Sequence, residues 1–285
     1  MTVERVGVVG AGLMGSGIAE VCSRAGLDVV VHEVSPAAAD AGQARIEKSL
    51  GRGVERGKLA GEDRDAALGR LSFVTDLAAM SDRQVVVEAV TEDEQLKLEI
   101  FRALDQAVTD REALLASNTS SLPITRLATS TSRPDRVVGL HFFNPVPVMR
   151  LVELVSSVLT SEEAISMANE FAGDVLGKTV IRAKDRAGFV VNLLLVPYLL
   201  EGIRMYEAGY ATAEDIDTGM REGANHPMGP LELSDFVGLD TMKAVADVLY
   251  QEFHDPHYAA PPLLVRMVEA GLLGRKSGRG FYTYS

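Results

Sequence analysis

Short apolar runs alternate with longer amphipathic stretches in the first half of the chain. The apolar runs are brief and most of them are rich in Val, which is typical of buried strands. They are Arg5–Gly10, Leu27–His32, Val85–Ala89, Leu114–Ser117 and Val137–His141. Stretches with helical spacing of apolar positions lie between several of them, at Leu13–Ala25, Pro36–Arg56 and Leu96–Val108. Strands that alternate with helices predict an α/β fold built on a parallel, doubly wound sheet.

The second half of the chain has a different pattern, which is almost entirely helical. Ser161–Leu176 has helical spacing and ends at Gly177, and one more apolar run follows at Thr179–Ala183. The remaining residues show no further strand pattern. We therefore expect two domains, an α/β domain over residues 1–184 and an all-α domain over residues 185–285.

The most apolar stretch, Gly188–Leu200, is too short to cross a membrane. A transmembrane helix needs about 20 consecutive apolar residues, whereas this stretch contains Asn192 and Pro197 and is followed by Glu201. The pattern favours a buried or interface helix, so we expect no membrane partner.

Composition and charge narrow the class of protein. The 285 residues are 47% hydrophobic and 24% charged, an ordinary globular balance, and their net charge is −12. A diffuse polyanion repels nucleic acid and anionic lipid, so we expect neither as a partner. Cys22 is the single cysteine, which excludes an internal disulfide and fits a reducing compartment. Since the N-terminal residues show no signal-peptide pattern, we expect a cytoplasmic protein.

A glycine motif joins the first predicted strand to the first predicted helix. The residues Gly10-Ala11-Gly12-Leu13-Met14-Gly15 match G-x-G-x-x-G, which in this context is a dinucleotide-binding fingerprint. The first glycine permits a tight turn, the second lets the backbone approach a pyrophosphate, and the third lets the helix pack closely. Free N–H groups at the start of the helix favour the diphosphate. We therefore expect a Rossmann-type domain with a dinucleotide bound at Gly10, Gly12, Leu13, Met14 and Gly15.

Glu33 ends the second predicted strand, where such domains place the acid that binds a ribose. Its carboxylate can accept two hydrogen bonds from the ribose diol and would repel a 2′-phosphate. The sequence therefore predicts NAD rather than NADP as the cofactor.

Hydroxyl and imidazole side chains follow two later strands. The string Ser117–Leu122 begins at one predicted strand end, and His141 ends another. In α/β sheets these ends face the ligand crevice. An imidazole is well suited to accept the proton that an alcohol loses during dehydrogenation. Ser120 is a candidate to hold the substrate oxygen and Glu153 to orient the imidazole, although sequence spacing cannot establish contact.

Longer strings resemble those of one enzyme family. They follow in order along nearly the whole chain, at Gly10–Gly15, Val86–Val90, Ser117–Leu122, His141–Met149, Leu151–Glu153, Gly188–Asn192, Glu214–Asp217, Pro227–Pro230 and Gly274–Gly278. On these strings the chain resembles the 3-hydroxyacyl-CoA dehydrogenase family, and within it the short bacterial 3-hydroxybutyryl-CoA dehydrogenases.

The resemblance implies an NAD-dependent oxidoreductase that interconverts a 3-hydroxyacyl-CoA thioester and its 3-ketoacyl-CoA. It implies a His141–Glu153 acid/base pair and contacts to the substrate oxygen from Ser120 and Asn192. Because Asn192 lies beyond the predicted domain boundary, the second domain is expected to complete the substrate cleft. The resemblance also implies a homodimer that forms through the helical domain.

The same resemblance assigns cofactor contacts to Glu88, Lys97 and Asn118. Two positions depart from the family pattern. Ala187 stands at the expected hinge where the family usually has proline, and Asp93 stands in the cofactor loop where asparagine is usual.

Basic residues form one face of the second predicted helix at spacings of three and four residues. They are Arg45, Lys48, Arg52 and Arg56, and a parallel apolar stripe would dock the helix. In one interpretation Arg45, Lys48 and Arg52 bind the phosphates or the adenine of CoA. In the other they form a solvated face that neighbouring glutamates balance, and the sequence does not decide between them.

Two other functions stay open. The glycine motif is also similar to that of β-hydroxyacid dehydrogenases, which act on free acids and use a helix lysine where this chain has Asn192. Members of the same fold also serve as lens crystallins, and the intact Ser120, His141, Glu153 and Asn192 argue against that role. Since no cysteine or carboxylate cluster accompanies the histidines near the C-terminus, we expect no metal centre.

Overall fold

The computed structural model describes residues 3–284, which form two compact units. The first unit extends to Arg186 and the second begins at Ala187. Each unit has a hydrophobic core of its own. Buried side chains of the sheet and its covering helices form the first core, and helices alone supply most of the second.

One eight-stranded sheet organises the first unit. Its strands are β1 (Arg5–Val9), β2 (Asp28–His32), β3 (Leu71–Val74), β4 (Val85–Glu88), β5 (Leu114–Ser117), β6 (Val137–Phe142), β7 (Leu151–Ser156) and β8 (Thr179–Lys184). Their order is β3-β2-β1-β4-β5-β6-β7-β8, and all neighbours are parallel except β6 and β7. The order reverses between β1 and β4, which in such sheets opens a ligand crevice at the carboxyl ends of the strands. The predicted α/β fold is confirmed.

Helices connect the parallel strands. They are α1 (Leu13–Arg24), α2 (Pro36–Glu55), α3 (Gly61–Leu68), α4 (Glu94–Ala107), α5 (Ile124–Thr129) and α6 (Glu162–Glu170). Strands β4 and β5 are buried at every position, and apart from their last residues, Glu88 and Ser117, they are uninterrupted apolar runs. The predicted helix over Ser161–Leu176 is α6 followed by a π-helical turn at Phe171–Val175.

The sequence pattern does not predict β3, β7 or α3. Strand β3 lies at one edge of the sheet and is only half-buried, so its apolar signal is weak. Strand β7 is buried but carries Glu153 at its centre. An acidic residue inside a buried strand argues against a strand unless a partner for the carboxylate exists elsewhere in the chain.

The second unit consists of helices. Its longer elements are α7 (Val191–Glu207), α8 (Ala213–Thr218), α9 (Pro230–Val237), α10 (Leu239–Phe253) and α11 (Pro262–Glu269). Apolar side chains of α7, α9 and α10 meet in the core of this unit. Within residues 3–284, no helix has both the length and the apolar character required to span a bilayer.

A buried carboxylate ties the C-terminal segment to the second unit. Asp235 of α9 accepts hydrogen bonds from the backbone N–H groups of Phe281 at 3.0 Å and Tyr282 at 2.9 Å, and from the Tyr284 hydroxyl at 3.0 Å. A Cβ at Gly280 would lie 1.9 Å from an oxygen of this carboxylate. The C-terminal segment therefore packs here because glycine lets its backbone reach the acid.

Replacing Asp235 by alanine should destabilise the second unit. The change leaves three donors without their acceptor, which we expect to cost about 2 to 4 kcal/mol in the free energy of unfolding. Denaturant unfolding measures this cost. The matched control is Asp247→Ala, which removes an exposed partner of Lys243 on α10 and should change stability by less than about 0.5 kcal/mol. Equal stability of the two variants would contradict the expectation.

Candidate active site

The glycine turn between β1 and α1 has one open side. Gly10 has a φ of 92°, a conformation that favours glycine. A Cβ at Gly15 would lie 1.8 Å from the Gly10 carbonyl oxygen, so α1 can begin this close to β1 only with glycine there. A Cβ at Gly12 would meet nothing within 4 Å, and no side chain caps the start of α1. Leu13 is 66% exposed beside this space, whereas Met14 packs on the core. Open space beside uncapped N–H groups suits a diphosphate, so these residues fit the predicted dinucleotide.

The Glu33 carboxylate reaches the same turn. It accepts hydrogen bonds from the backbone N–H of Ala11 at 2.5 Å and from that of Val34 at 3.1 Å. These bonds hold the acid beside the glycine motif. Glu33 therefore lies where it could reach a ribose bound beside the glycine turn, and its contact with the ribose stays a prediction.

Helix α2 packs with its basic face outward. Ile46 and Leu50 are buried, and Lys48 and Arg52 are exposed. Arg45 is also at the surface, but its Nη1 donates to the carbonyl oxygen of Ala11 at 2.9 Å. Arg45 thus has a structural role, because it binds the backbone of the glycine turn. The side chains of Lys48 and Arg52 are exposed to solvent.

His141 and Glu153 lie directly opposite each other on β6 and β7. Opposed residues of an antiparallel pair project from the same face of a sheet. The His141 Nδ1 and Glu153 Oε2 atoms are 2.7 Å apart, and the two residues are 7% and 0% exposed. The Phe143 ring lies 4.6 Å from the imidazole centroid to centroid. This arrangement fixes the orientation of the imidazole and gives a protonated ring a buried counter-charge.

Asn118 connects the ends of β5 and β6. Its side-chain oxygen accepts a hydrogen bond from the Phe142 N–H at 2.9 Å. Because β5 and β6 are parallel, Asn118 and His141 come to the same edge of the sheet. The residue predicted as a cofactor contact therefore also holds the strand end that carries the imidazole.

Glu92 holds the loop that contains Ser120, and no sequence motif pointed to this acid. Its Oε1 accepts hydrogen bonds from the Ser120 N–H at 3.0 Å and the Ser121 hydroxyl at 2.9 Å, and it also contacts the Thr119 hydroxyl. Burial alone would raise the pKa of Glu92, but Lys97 and these donors hold it below its usual value. One sequence feature could have identified Glu92. It is an acidic residue in the loop after β4, and this loop lies next to the loop after β5.

Glu88 and Lys97 form a buried ion pair below this loop. The Lys97 Nζ lies 2.6 Å from Glu88 Oε1, and the two residues are 1% and 0% exposed. Glu88 also accepts hydrogen bonds from the Val90 N–H and the Ser117 hydroxyl, both at 2.7 Å. This burial favours a supporting role for Glu88 and Lys97 over the direct cofactor contact that the family resemblance implies.

The remaining predicted residues lie in separate places. Asp93 caps α4 by accepting a hydrogen bond from the Leu96 N–H at 2.8 Å, so the departure from asparagine keeps a capping side chain. Asn192 lies in the first turn of α7 in the second unit. Its contact with the substrate stays a prediction.

The candidate functional residues of the first unit therefore lie along one edge of its sheet. The glycine turn, the Glu92 loop and the Ser120 loop follow β1, β4 and β5, and the imidazole lies near the end of β6. Strands β1, β4, β5 and β6 are successive neighbours in the sheet and all run parallel. Their carboxyl ends therefore lie at the same edge. The set provides an anion-binding turn, hydroxyl groups and an oriented proton acceptor, which suits the oxidation of an alcohol.

Comparison with known proteins identifies the family. The family model for the NAD binding domain of 3-hydroxyacyl-CoA dehydrogenase matches residues 5–186, and that for the C-terminal domain matches residues 188–284. The chain is 62% identical over 282 residues to a 3-hydroxybutyryl-CoA dehydrogenase of Mycobacterium tuberculosis, with 99% of each chain covered. It is 42% identical over 290 residues to the mitochondrial hydroxyacyl-coenzyme A dehydrogenase of Sus scrofa, with 99% of this chain and 91% of that protein covered.

A solved structure of the same family also matches the chain over its whole length. The crystal structure of (S)-3-hydroxybutyryl-CoA dehydrogenase from Ralstonia eutropha matches with a TM-score of 0.95 at 46% identity, and 100% of both chains is covered. Both units of the chain, and almost every residue of its sequence, are thus accounted for by one family. The chain belongs to the 3-hydroxyacyl-CoA dehydrogenase family of oxidoreductases.

Proposed function

We propose that this oxidoreductase interconverts an (S)-3-hydroxyacyl-CoA and the matching 3-ketoacyl-CoA with NAD, and that its substrate is the short-chain 3-hydroxybutyryl-CoA. The buried His141–Glu153 hydrogen bond, on the sheet edge that also bears the glycine turn, carries the proposal. The activities named for the relatives from Mycobacterium tuberculosis and Ralstonia eutropha support the short acyl chain.

His141 is the acid/base of the proposed reaction. In the oxidation direction the imidazole accepts the proton of the 3-hydroxyl, and in the reduction direction the imidazolium returns it to the ketone oxygen. Because Glu153 holds Nδ1, Nε2 is the atom that exchanges the proton. The carboxylate keeps the ring in the required tautomer and stabilises the imidazolium. Ser120 and Asn192 orient the substrate oxygen in this proposal.

The first unit supplies the residues that would hold the cofactor. Gly12 and the start of α1 would receive the diphosphate, Leu13 and Met14 would flank it, and the Glu33 carboxylate would accept hydrogen bonds from the ribose hydroxyls. NAD supplies the hydride acceptor for the alcohol carbon when it is bound. A 2′-phosphate would approach the Glu33 carboxylate, and this repulsion supports a preference for NAD.

The buried ion pair supports these loops from below. Glu88 and Lys97 act as positioning residues in this proposal, because they tie β4 to α4 and leave no exposed surface for a ligand. Lys97 also lies 3.3 Å from the Glu92 carboxylate. The pair thereby steadies the acid that holds the Ser120 loop.

The assembly and location also belong to the proposal. We infer a cytoplasmic homodimer that forms through the helical unit. The apolar side chains of α7 that reach the surface support this interface, since Leu194 is 71% exposed. Sedimentation as a stable monomer would contradict the dimer.

Initial rates test the proposed substrate and cofactor. The protein should oxidise NADH with acetoacetyl-CoA, and kcat/KM should be at least about tenfold lower with NADPH because Glu33 repels the added phosphate. Free acetoacetate is the matched control, and it should be a poor substrate because it lacks CoA. Faster turnover of the free acid would favour a free β-hydroxyacid dehydrogenase, and no NADH oxidation with either substrate would contradict an enzymatic role.

His141 and Glu153 substitutions test the acid/base pair. His141→Ala should lower kcat by about 10²- to 10⁴-fold, because it removes the proton acceptor. Glu153→Gln should lower kcat by about a hundredfold, because a neutral amide does not stabilise the imidazolium. The control is Glu170→Gln, at the exposed end of α6, which should keep full activity. A kcat within twofold of the wild type in His141→Ala would sink the proposed mechanism.

The basic face of α2 can be tested by charge reversal. Lys48→Glu and Arg52→Glu should each raise the KM for acetoacetyl-CoA by about fivefold, since a surface charge pair is worth about 1 kcal/mol. The KM for NADH should be unchanged, because neither side chain contacts the glycine turn. Arg102→Glu on α4 makes the same change in net charge and is the control. If Lys48→Glu and Arg52→Glu raise the KM for acetoacetyl-CoA no more than Arg102→Glu does, the basic face of α2 does not bind CoA and only faces solvent.

A further inference from the structure

Lys178 makes two short hydrogen bonds that the proposed mechanism does not use. Its Nζ donates to the carbonyl oxygen of Val146 at 2.6 Å and to that of Met149 at 2.8 Å. The side chain is half-buried and immediately precedes β8. One ammonium group therefore joins two points of the loop over residues 143–150, which connects β6 to β7.

This loop carries the chain from the imidazole to its carboxylate partner. His141 lies one residue before the end of β6, and Glu153 is the third residue of β7. Next to the Lys178 contacts, the Thr179 N–H donates to the Arg150 carbonyl oxygen at 2.7 Å. The two residues that immediately precede β7 are thus both held from the start of β8.

The other parts of the loop are also held, but by different elements. Asn118 accepts the Phe142 N–H at the end of β6. Val146 is 2% exposed, and a Cβ at Gly17 of α1 would lie 2.8 Å from the Val146 Cβ. Lys178 links this packed middle of the loop to its far end at Met149, in addition to the backbone hydrogen bond from the Met149 N–H to the Pro145 carbonyl oxygen at 2.9 Å.

The Lys178 ammonium is partly shielded from water where it binds the two carbonyls. Burial lowers the pKa of the Lys178 ammonium and Arg24 lowers it further, while Glu20 acts in the opposite direction. A partly dehydrated ammonium depends on protein acceptors in place of water. Hydrogen bonds from a charged donor are stronger than those between neutral groups, so the two carbonyls are firmly bound.

We propose that Lys178 is a positioning residue for catalysis, which holds the β6–β7 loop so that Glu153 keeps its geometry against His141. This inference rests on the proposed function of that pair. It does not require Lys178 to touch the substrate or the cofactor. The residue acts through the loop backbone, at a point four residues before Glu153.

The consequence should be a loss of rate rather than a loss of cofactor binding. A displacement of about 1 Å in a catalytic group can cost up to a hundredfold in rate. The glycine turn is held separately, by Glu33 and Arg45. NADH binding should therefore survive the removal of the Lys178 hydrogen bonds.

Lys178→Met tests the inference, because it keeps an unbranched side chain of similar shape and removes the ammonium donors. The number of NADH sites, titrated by fluorescence, counts the folded enzyme. We expect kcat for acetoacetyl-CoA per NADH site to fall about tenfold, with a Kd for NADH within twofold of the wild type. A purely structural role would lower the number of NADH sites and leave kcat per site unchanged. That result would overturn the inference.

Two further variants complete the experiment. Lys178→Arg keeps charged donors and should recover most of kcat, whereas Lys184→Met removes an exposed lysine from the other end of β8 and should have no effect. If Lys178→Met is insoluble, Lys178→Gln replaces it, with a smaller loss expected. The positioning role would be refuted if Lys178→Arg lost as much kcat per NADH site as Lys178→Met. It would also be refuted if Lys178→Gln kept the kcat of the wild type. Inactive wild-type enzyme would instead refute the proposed function.

Discussion

The buried hydrogen bond between His141 and Glu153 depends on one local reversal of direction in an otherwise parallel sheet. Strand β7 runs antiparallel to β6, and the register sets the two residues directly opposite each other. A slip of one residue would turn Glu153 to the other face of the sheet and leave a buried charge without a partner. The geometry of the His141–Glu153 pair and the stability of this sheet edge therefore depend on the same register.

The loops around the pair are held by charged groups rather than by apolar packing alone. Glu88 and Lys97 are buried together below the loop after β4, and Glu92 holds the loop after β5. Lys178 holds the connection between β6 and β7 in a comparable way. Removing one member of a buried pair leaves an uncompensated charge, which is strongly unfavourable. These groups therefore favour a single arrangement of the loops over nearby alternatives.

Much of the first unit could be predicted because its signals are local. Runs such as Leu114–Ser117 are buried at every position and contain no charge, so their short, mostly apolar sequence identified them. Strand β7 could not be identified in this way, because Glu153 interrupts its apolar pattern. Its carboxylate is acceptable only opposite an imidazole that lies twelve residues earlier. Glu92 escaped notice for a similar reason, since its hydrogen-bond partners belong to the loop after another strand.

The sequence by itself determined the alternation of strands and helices, the glycine turn and the types of residue available for chemistry. These features follow from side-chain periodicity and backbone conformation within a few neighbouring residues. The tertiary structure decided which acid meets His141, that Glu88 and Lys97 are buried, and that Lys178 binds the loop before β7. Such contacts depend on strand order and register, which bring distant residues together and leave no periodic trace in the chain.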